Sequence, residues 1–318
     1  MSFIRQIHDT HTASPNSKNF FRRLYKQKTM HIIALLFVVW SIIFAYIPMS
    51  GIYMAFSDYK VIKPIFAAPF AGLKYFQQFL SDPNVWAALK NTLGISVLNI
   101  VFGFPIPIIF ALLLNELANV NFKRVIQTVS YLPHFVSWVI LGGFLINWTS
   151  DTGLINDILM RLSLVKEPIF LLGEPKYFWG TAVISSIWKS MGWSAIIYIA
   201  AIAGINPELY EAATIDGAGR FRKLVSITLP CIMGTISILF IFTIAGLLNS
   251  NFDQIFVLKN TLNSSASTVL DIYVYRMGIQ LGRFSYATAV GFLKSIVALV
   301  LLLITNKVTD KLTGSSFI

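Results

Sequence analysis

The sequence predicts an all-α integral membrane helical bundle with six transmembrane helices. Hydrophobic residues make up 56% of the 318 residues and charged residues only 12%, and the mean hydropathy is +0.69. This composition excludes an ordinary soluble domain. Six segments reach the roughly 20 apolar residues that a helix needs to cross a bilayer. They are residues 32–49, 92–114, 125–148, 178–204, 229–249 and 286–307.

Basic residues cluster on one side of the six predicted spans. The formal net charge is +11, and the clusters precede spans one, three and five and follow span six. Their members are Arg22, Arg23, Lys26, Lys28, Lys123, Arg124, Arg220, Arg222, Lys223, Lys307 and Lys311. The positive-inside rule therefore predicts that both termini and the loop before span five are cytoplasmic. Because lysines in the first outer segment weaken this asymmetry, the orientation also depends on the motif in that loop. Charge placed beside membrane spans does not indicate a nucleic-acid partner.

Polar and proline-containing stretches divide the chain. Residues 1–29 are predicted to form a cytoplasmic tail that ends in a short interfacial helix, and residues 30–318 form the transmembrane domain. Two outer segments, 51–91 and 149–177, contain turn residues and are predicted to be folded excursions. Pro105, Pro107 and Pro133 remove backbone donors inside spans two and three, which favours kinks there.

The polar loop at about 205–228 carries the signals of a short capped helix. Asn206 is a good N-cap, Pro207 suits the first helical position, Glu208 lies in the first turn, and Gly217 is a natural terminator. These signals predict a helix of about ten residues. Residues at three- and four-residue spacing share one face of it, namely Glu208, Glu211, Ala212 and Ile215. A second helix is predicted over 219–228, before Pro230 opens span five.

The same loop carries a motif that resembles a known family. The run Glu211-Ala212-Ala213-Thr214-Ile215-Asp216-Gly217-Ala218, followed by Ile227-Thr228-Leu229-Pro230, resembles the cytoplasmic coupling loop of ABC importer permeases. Segments 46–59, 72–76, 132–138 and 151–156 are similar to the polysaccharide and oligosaccharide branch of the carbohydrate-uptake permeases, so the resemblance covers nearly the whole chain.

This resemblance implies a type I ABC importer, with a maltose-permease-like fold, in a bacterial cytoplasmic membrane. The implied partners are membrane lipid, a second homologous permease subunit, two ATPase subunits, an extracytoplasmic solute-binding protein and an oligosaccharide substrate. The implied contacts with the ATPase are Glu208, Glu211, Ala212, Ala213, Asp216, Gly217 and Ala218. The sequence contains no Gly-rich phosphate loop, so we expect that the chain binds no cofactor and is not an enzyme, and that ATP and Mg²⁺ are bound by the partner subunits.

Polar residues within or beside the spans are the candidates for the substrate path. Lys189 and Trp193 lie within span four, where an intramembrane charge indicates either a functional group or a structural ion pair or lipid-headgroup contact. A second group at the outer end of span five combines amides and a carboxylate with an aromatic ring, as sugars require, although it could also cap a helix. It comprises Asn249, Asn251, Phe252, Asp253 and Gln254. Lys294 is expected to extend toward the membrane interface.

Two other function classes fit the sequence less well. An ion-coupled secondary carrier commonly has acidic or histidine relays inside the membrane, whereas these six spans carry no Asp or Glu near their middles. A membrane enzyme acting on envelope sugars would need paired carboxylates at a plausible depth. No metal site is expected. The sequence leaves open whether the cargo is a uronate chain, such as alginate, or a neutral glycan.

Overall fold

The computed structural model of the chain describes residues 27–313. These residues form helices and turns, and their one extended pairing is an isolated bridge between Ser57 and Phe70. The predicted tail and interfacial helix of residues 1–29 lie outside the described residues except for the last three. The chain divides into two compact units, Met1–Tyr53 and Met54–Ile318.

The first unit contains most of α1, the helix Lys28–Phe56, which is 29 residues long and apolar enough to cross a membrane. A π-helical turn at Ile42–Tyr46 precedes Pro48, which lacks a backbone donor. No residue of α1 before Ser50 is buried, and Trp40 and Phe44 lie exposed with their rings 5.5 Å apart. A helix that is apolar all round and unburied suits contact with lipid or with another protein.

The second unit begins with the first predicted outer excursion. The bridge is extended by Asp58, whose N–H donates to the carbonyl of Pro69 at 2.8 Å, and α2 follows at Lys74–Ser81. The Tyr75 hydroxyl on α2 donates to the Asp58 carboxylate at 2.5 Å. This hydrogen bond lowers the pKa of Asp58. The folded part of the predicted excursion 51–91 runs from Ser57 to Ser81, because its first residues belong to α1 and its last residues to the next helix.

Helix α3, Pro83–Asn115, is a 33-residue candidate span. It begins at an N-cap, Asp82, whose carboxylate accepts from the backbone N–H of Asn84 at 2.9 Å. A π-helical turn at Asn99–Gly103 lies directly before Pro105. The proline residues therefore continue the helix after a widened turn and do not break it.

The third predicted span, residues 125–148, is broken. Helices α4, Val120–Phe135, and α5, Trp138–Trp148, meet at an angle of 100°. Pro133 lies in the last turn of α4, and the Ser137 side chain caps the start of α5 by accepting from the Ile140 N–H. The break therefore falls where proline and an N-cap follow each other closely. After α5, the second predicted outer segment contains a short helix, α6, at Leu154–Arg161.

Helix α7, Pro175–Ala203, is the central element of the second unit. Its first half packs in a core with α3, α5 and the segment after residue 252, through residues such as Phe178 and Val183. Its second half packs against α3 and the start of α10 through Ala195 and Tyr198. At Gly192 a Cβ atom would lie 2.3 Å from the Ser130 carbonyl, so glycine allows the close approach of α4 to α7.

The loop after α7 contains α8, Pro207–Ile215, followed by α9, Arg220–Cys231, and α10, Met233–Ala245, which is bent from α9 by 60°. The second predicted loop helix is confirmed, but the expectation that Pro230 opens the next span is wrong. A π-helical turn at Leu224–Thr228 precedes Pro230 and accommodates its missing donor, so the bend follows at Ile232.

Short helices fill the segment before the last span. These are α11 (Phe252–Leu258), α12 (Ser264–Ser267) and α13 (Leu270–Tyr275), with a π-helical turn at Arg276–Gln280. Helix α14, Phe284–Thr313, completes the described chain. The expectation that Lys294 extends toward the interface is wrong, because its ammonium group pairs with the Asp271 carboxylate and both side chains are largely buried.

The span count agrees with an all-α membrane bundle. Four helices, α1, α3, α7 and α14, are long and apolar enough to cross a membrane, and the two bent pairs raise the number to as many as six. The fifth predicted span, 229–249, extends past the end of α10 at Ala245. Sequence periodicity identifies the apolar segments, whereas the bends depend on packing that acts over long sequence distances.

Candidate functional site

Helix α8 has the predicted start. The Asn206 side chain accepts from the Glu208 backbone N–H at 3.1 Å, and its amide donates to the Glu208 carboxylate at 3.0 Å. Pro207 occupies the first helical position, where a missing N–H leaves no bond unmade. The nine residues observed agree with the predicted length of about ten.

Helix α8 also ends as predicted, at Gly217. The Ala218 N–H donates to the Ala213 carbonyl at 2.9 Å, and the Gly217 N–H donates to the Thr214 carbonyl at 3.1 Å. This pair of bonds is a Schellman motif, which requires a left-handed residue after the helix. Gly217 supplies it with φ of +75°. Both ends of α8 are therefore fixed by local hydrogen bonds.

The predicted contact face of α8 is open. Glu208, Glu211, Ala212 and Ile215 are all exposed, and Ile215 is 88% exposed. Phe221, just beyond the helix, is 80% exposed. Asp216, Gly217 and Ala218 form the turn between them, and Ala213 faces partly inward. Carboxylates beside exposed large apolar side chains are typical of a protein-binding surface.

Two side-chain contacts attach α8 to α9. The hydroxyls of Tyr210 and Thr228 share a hydrogen bond of 2.9 Å, and Thr228 is buried. The Lys223 ammonium donates to the Thr214 hydroxyl at 2.7 Å. A force applied to α8 would therefore reach α9 and, through it, α10. Neither contact is predicted from the sequence, although Tyr210 and Thr214 lie four residues apart and so share one side of α8.

Lys189 stabilises the break between α4 and α5. Its ammonium group donates to the carbonyls of Pro133, His134 and Val136 at 3.1, 2.6 and 2.7 Å, and the residue is only 8% exposed. An ammonium group has three hydrogens to donate, so these three bonds use all of them. The sequence left open whether Lys189 is a functional group or has a structural role. This geometry favours the structural role, in which backbone carbonyls take the place of an anionic partner.

Trp193 lies one helical turn after Lys189, on the wall of a cavity of about 540 Å³. Its ring stacks on His134 with centroids 4.5 Å apart and planes 2° from parallel. The polar side chains around the cavity come from α3, α7 and α10 and are Asn99, Ser190, Ser194 and Thr243. An aromatic wall with hydroxyl and amide groups is suitable for a sugar ring.

The polar segment after α10 separates into an exposed part and a buried part. Asn249, Asn251 and Asp253 are exposed, and the Asn251 side chain caps α11. Gln254 is buried, and its amide donates to the Ala182 carbonyl at 2.6 Å and the Ser185 hydroxyl at 2.9 Å. Gln254 therefore connects α11 to α7.

Phe252 belongs to a cluster of three rings. It stacks on Phe256 and meets Tyr275 edge to face, with centroids 5.3 Å apart in both pairs. Phe256 and Tyr275 also border a cavity that contains Lys259 and Arg276. These four residues are not predicted from the sequence. The available signal was that each basic residue closely follows an aromatic one, Lys259 after Phe256 and Arg276 directly after Tyr275.

The described residues contain no group of His, Cys, Asp or Glu that could hold a metal ion.

Sequence comparison shows which known proteins the chain is related to. Residues 103–313 match the family described as binding-protein-dependent transport system inner membrane component. Protein LplB of Bacillus subtilis (strain 168) is 42% identical over 289 residues, which are 91% of this chain and 90% of that protein.

A second relative and a solved structure have similar coverage. The polygalacturonan/rhamnogalacturonan transport system permease protein YteP of Bacillus subtilis (strain 168) is 40% identical over 92% of this chain and 91% of its own length. A bacterial alginate ABC transporter, crystallised in complex with an alginate pentasaccharide-bound periplasmic protein, contains a chain with a TM-score of 0.84 and 34% identity, covering 93% of this chain and 99% of that one. The chain therefore belongs to the binding-protein-dependent transport system inner membrane components and is a permease subunit of an ABC transporter.

Proposed function

We propose that this permease subunit forms one half of the pore of an ATP-driven importer for oligosaccharides or polysaccharide fragments. Its partners are a second homologous permease subunit, two ATPase subunits that bind ATP and Mg²⁺, and an extracytoplasmic solute-binding protein that delivers the sugar. Both termini and α8 lie in the cytoplasm. The polygalacturonan/rhamnogalacturonan transport by YteP and the periplasmic partner of the alginate transporter support this assignment.

The main support for the mechanism is the structure of α8. The helix is capped at both ends and attached to α9 on one side, and it exposes acidic and apolar side chains away from α9. Among residues 27–313, none of the carboxylates of Glu208, Glu211 and Asp216 forms an ion pair. A rigid helix with such carboxylates beside Ile215 fits a groove on a partner that offers cationic and apolar groups.

The proposed mechanism is alternating access. ATP closes the paired ATPase subunits, α8 moves with them as a rigid body, and α9 transmits the movement to the bent pair α9–α10. The spans then exchange an inward opening for an outward one. Since Trp193 borders the cavity between α3, α7 and α10, movement of α10 would change the shape of this cavity. Trp193, with Asn249, Asn251, Phe252 and Asp253, remains our candidate for contact with sugar.

The test is a substitution on the exposed face of α8. Glu211→Ala should lower ATP-driven saccharide uptake by about tenfold or more, the loss expected from removing a charged contact at an interface. Uptake is measured in proteoliposomes that contain the complete transporter, with ATP inside and the loaded binding protein outside. Glu116→Ala is the matched control, because Glu116 is an exposed acidic residue at the end of α3, on the same predicted side of the membrane.

Two results would contradict the proposal. One is uptake by the Glu211→Ala transporter at the rate of the control variant. The other is uptake that stops when an ionophore collapses the ion gradients while internal ATP is maintained, since this is the behaviour of an ion-coupled carrier.

A further inference from the structure

A cavity of about 440 Å³ lies in the segment between α10 and α14. It is bordered by the end of α11, the turn that follows it, α13 and the π-helical turn after α13. Two cationic side chains, two aromatic rings and two amides line it, namely Lys259, Arg276, Phe256, Tyr275, Asn260 and Gln280. The proposed coupling mechanism does not use this cavity.

The positive charge of the cavity is not compensated within the described chain. Neither Lys259 nor Arg276 forms an ion pair with any carboxylate of residues 27–313. Asp253 on α11 is exposed and does not line the cavity, and Asp271 on α13 is paired with Lys294. Burial, and after it the charge of Arg276, lowers the pKa of Lys259. A bound anion would remove part of this electrostatic cost.

The turn that carries Lys259 is rigid. The Asn260 side chain accepts from the N–H groups of Leu262 and Asn263 at 2.9 Å and donates to the Leu172 carbonyl at 2.8 Å. The fully buried Asn263 amide donates to the same Leu172 carbonyl at 2.8 Å and to the Leu258 carbonyl at 3.1 Å. The backbone that carries Lys259 is therefore held in place before a ligand arrives, which reduces the entropy lost on binding.

The aromatic side of the cavity is also preformed. Phe256 and Tyr275 meet edge to face with centroids 5.7 Å apart and planes at 82°, and Phe252 packs against both. Phe256 is 48% exposed, so part of its ring is open to a ligand. Ring C–H faces of a sugar pack on aromatic surface, while a carboxylate requires cationic donors. Both requirements are met within one cavity.

We propose that this cavity binds a carboxylated sugar residue of the incoming oligosaccharide. Lys259 and Arg276 bind the carboxylate, and Phe256 and Tyr275 pack against the sugar ring. The inference rests on the proposed function, which it deepens by assigning acidic saccharides, such as uronic-acid oligomers, as the cargo.

The experiment compares an acidic saccharide with its neutral ester in the complete transporter. The probes are an oligogalacturonate of defined length and its methyl ester, which keeps the rings and removes the charge. Lys259→Gln and Arg276→Gln should each raise the half-saturating concentration of the acid about tenfold, as expected for loss of a charge-assisted hydrogen bond. They should change that of the ester by less than about twofold.

Three further variants separate recognition from folding. Lys259→Arg and Arg276→Lys keep the charge and should preserve most of the preference for the acid over the ester. Lys166→Gln is the matched control, because Lys166 is an exposed lysine of the other outer segment, away from the cavity. It should transport both saccharides like the wild type.

Each alternative outcome identifies what has failed. Equal weakening for acid and ester would overturn the inference, and so would an effect seen only in liposomes with anionic lipid, since the cavity would then bind a lipid headgroup. If the wild-type transporter carries the ester or other neutral oligosaccharides but no acidic one, the inference fails and the proposed function stands. If no saccharide is taken up with ATP, the proposed function fails as well.

Discussion

Lys189 is a charged residue in a candidate membrane span whose partners are backbone carbonyls. The break between α4 and α5 leaves the carbonyls of His134, in the last turn of α4, and of Val136, just after it, without backbone partners, and carbonyls at a helix C-terminus carry the negative end of the helix dipole. Away from water such groups are costly unless they are bonded. Lys189 satisfies both of them, and its third bond goes to Pro133, whose carbonyl also accepts from the Val136 N–H. Lys189 therefore stabilises the bend by supplying hydrogen-bond donors that residues near the bend in the sequence do not supply.

Replacing Lys189 should reduce stability before it changes specificity. Lys189→Met keeps the length of the side chain but leaves the carbonyls of His134 and Val136 unpaired, and we expect a loss of about 2–3 kcal/mol of stability. Thermal unfolding of the purified subunit in detergent measures this loss. Lys176→Met is the control, because Lys176 begins the same helix and is exposed. A Lys189→Met variant that unfolds at the wild-type temperature but transports different saccharides would instead favour contact with sugar.

Gly217 allows a test in which side-chain packing plays no part. A Cβ atom at Gly217 would meet no atom within 4 Å, and the same is true at Gly219. Their backbones differ, because Gly217 has φ of +75° and Gly219 has φ of −70°. Gly217→Ala should therefore strain the end of α8 by about 1 kcal/mol and lower uptake up to about fivefold, whereas Gly219→Ala should not. Equal uptake by the two variants, at equal amounts in the membrane, would argue against a rigid α8.

The hydrogen bond between Tyr210 and Thr228 is one of the two side-chain contacts that connect α8 to α9. Tyr210→Phe and Thr228→Val each remove one hydroxyl with little change of shape, and each should lower the saccharide transported per ATP hydrolysed about fivefold, the factor that corresponds to about 1 kcal/mol. The double variant should lower it no further, because both substitutions break one bond. If the loss in the double variant instead equals the product of the two single losses, the two hydroxyls act independently.

Helices α8 and α4–α5 show which features a sequence can predict. The caps of α8 are local, since Asn206 and Gly217 act on backbone groups within a few residues, and the sequence predicts them. The break between α4 and α5 is supported by Lys189, which lies 55 positions from His134 along the chain, and no local pattern indicates this contact. Pro133 alone predicts only a kink. In the same way, Lys294 pairs with Asp271 across two helices, where the sequence favoured an interfacial position.

The two proposed sites lie at opposite ends of α7. Helix α8 begins four residues after α7 ends at Ala203, whereas the turn that carries Lys259 is bonded to Leu172, three residues before α7 begins. A helix of 29 residues is about 44 Å long, which exceeds the hydrocarbon thickness of a bilayer. If α7 spans the membrane, the proposed contact with ATPase and the proposed anionic subsite lie on opposite faces of it, as an importer that takes sugar from outside and energy from inside requires.

This arrangement predicts the labelling of single cysteines. Cys231 is the one cysteine of the chain, so Cys231→Ser provides a background in which Leu262→Cys and Ile215→Cys are introduced separately. Both positions are exposed, at 61% for Leu262 and 88% for Ile215. A membrane-impermeant maleimide should label Leu262→Cys from outside right-side-out membranes, and Ile215→Cys only in inverted vesicles, once the ATPase subunits have been stripped away. The reverse pattern would place α8 outside the cell, where no ATP-driven subunit could move it.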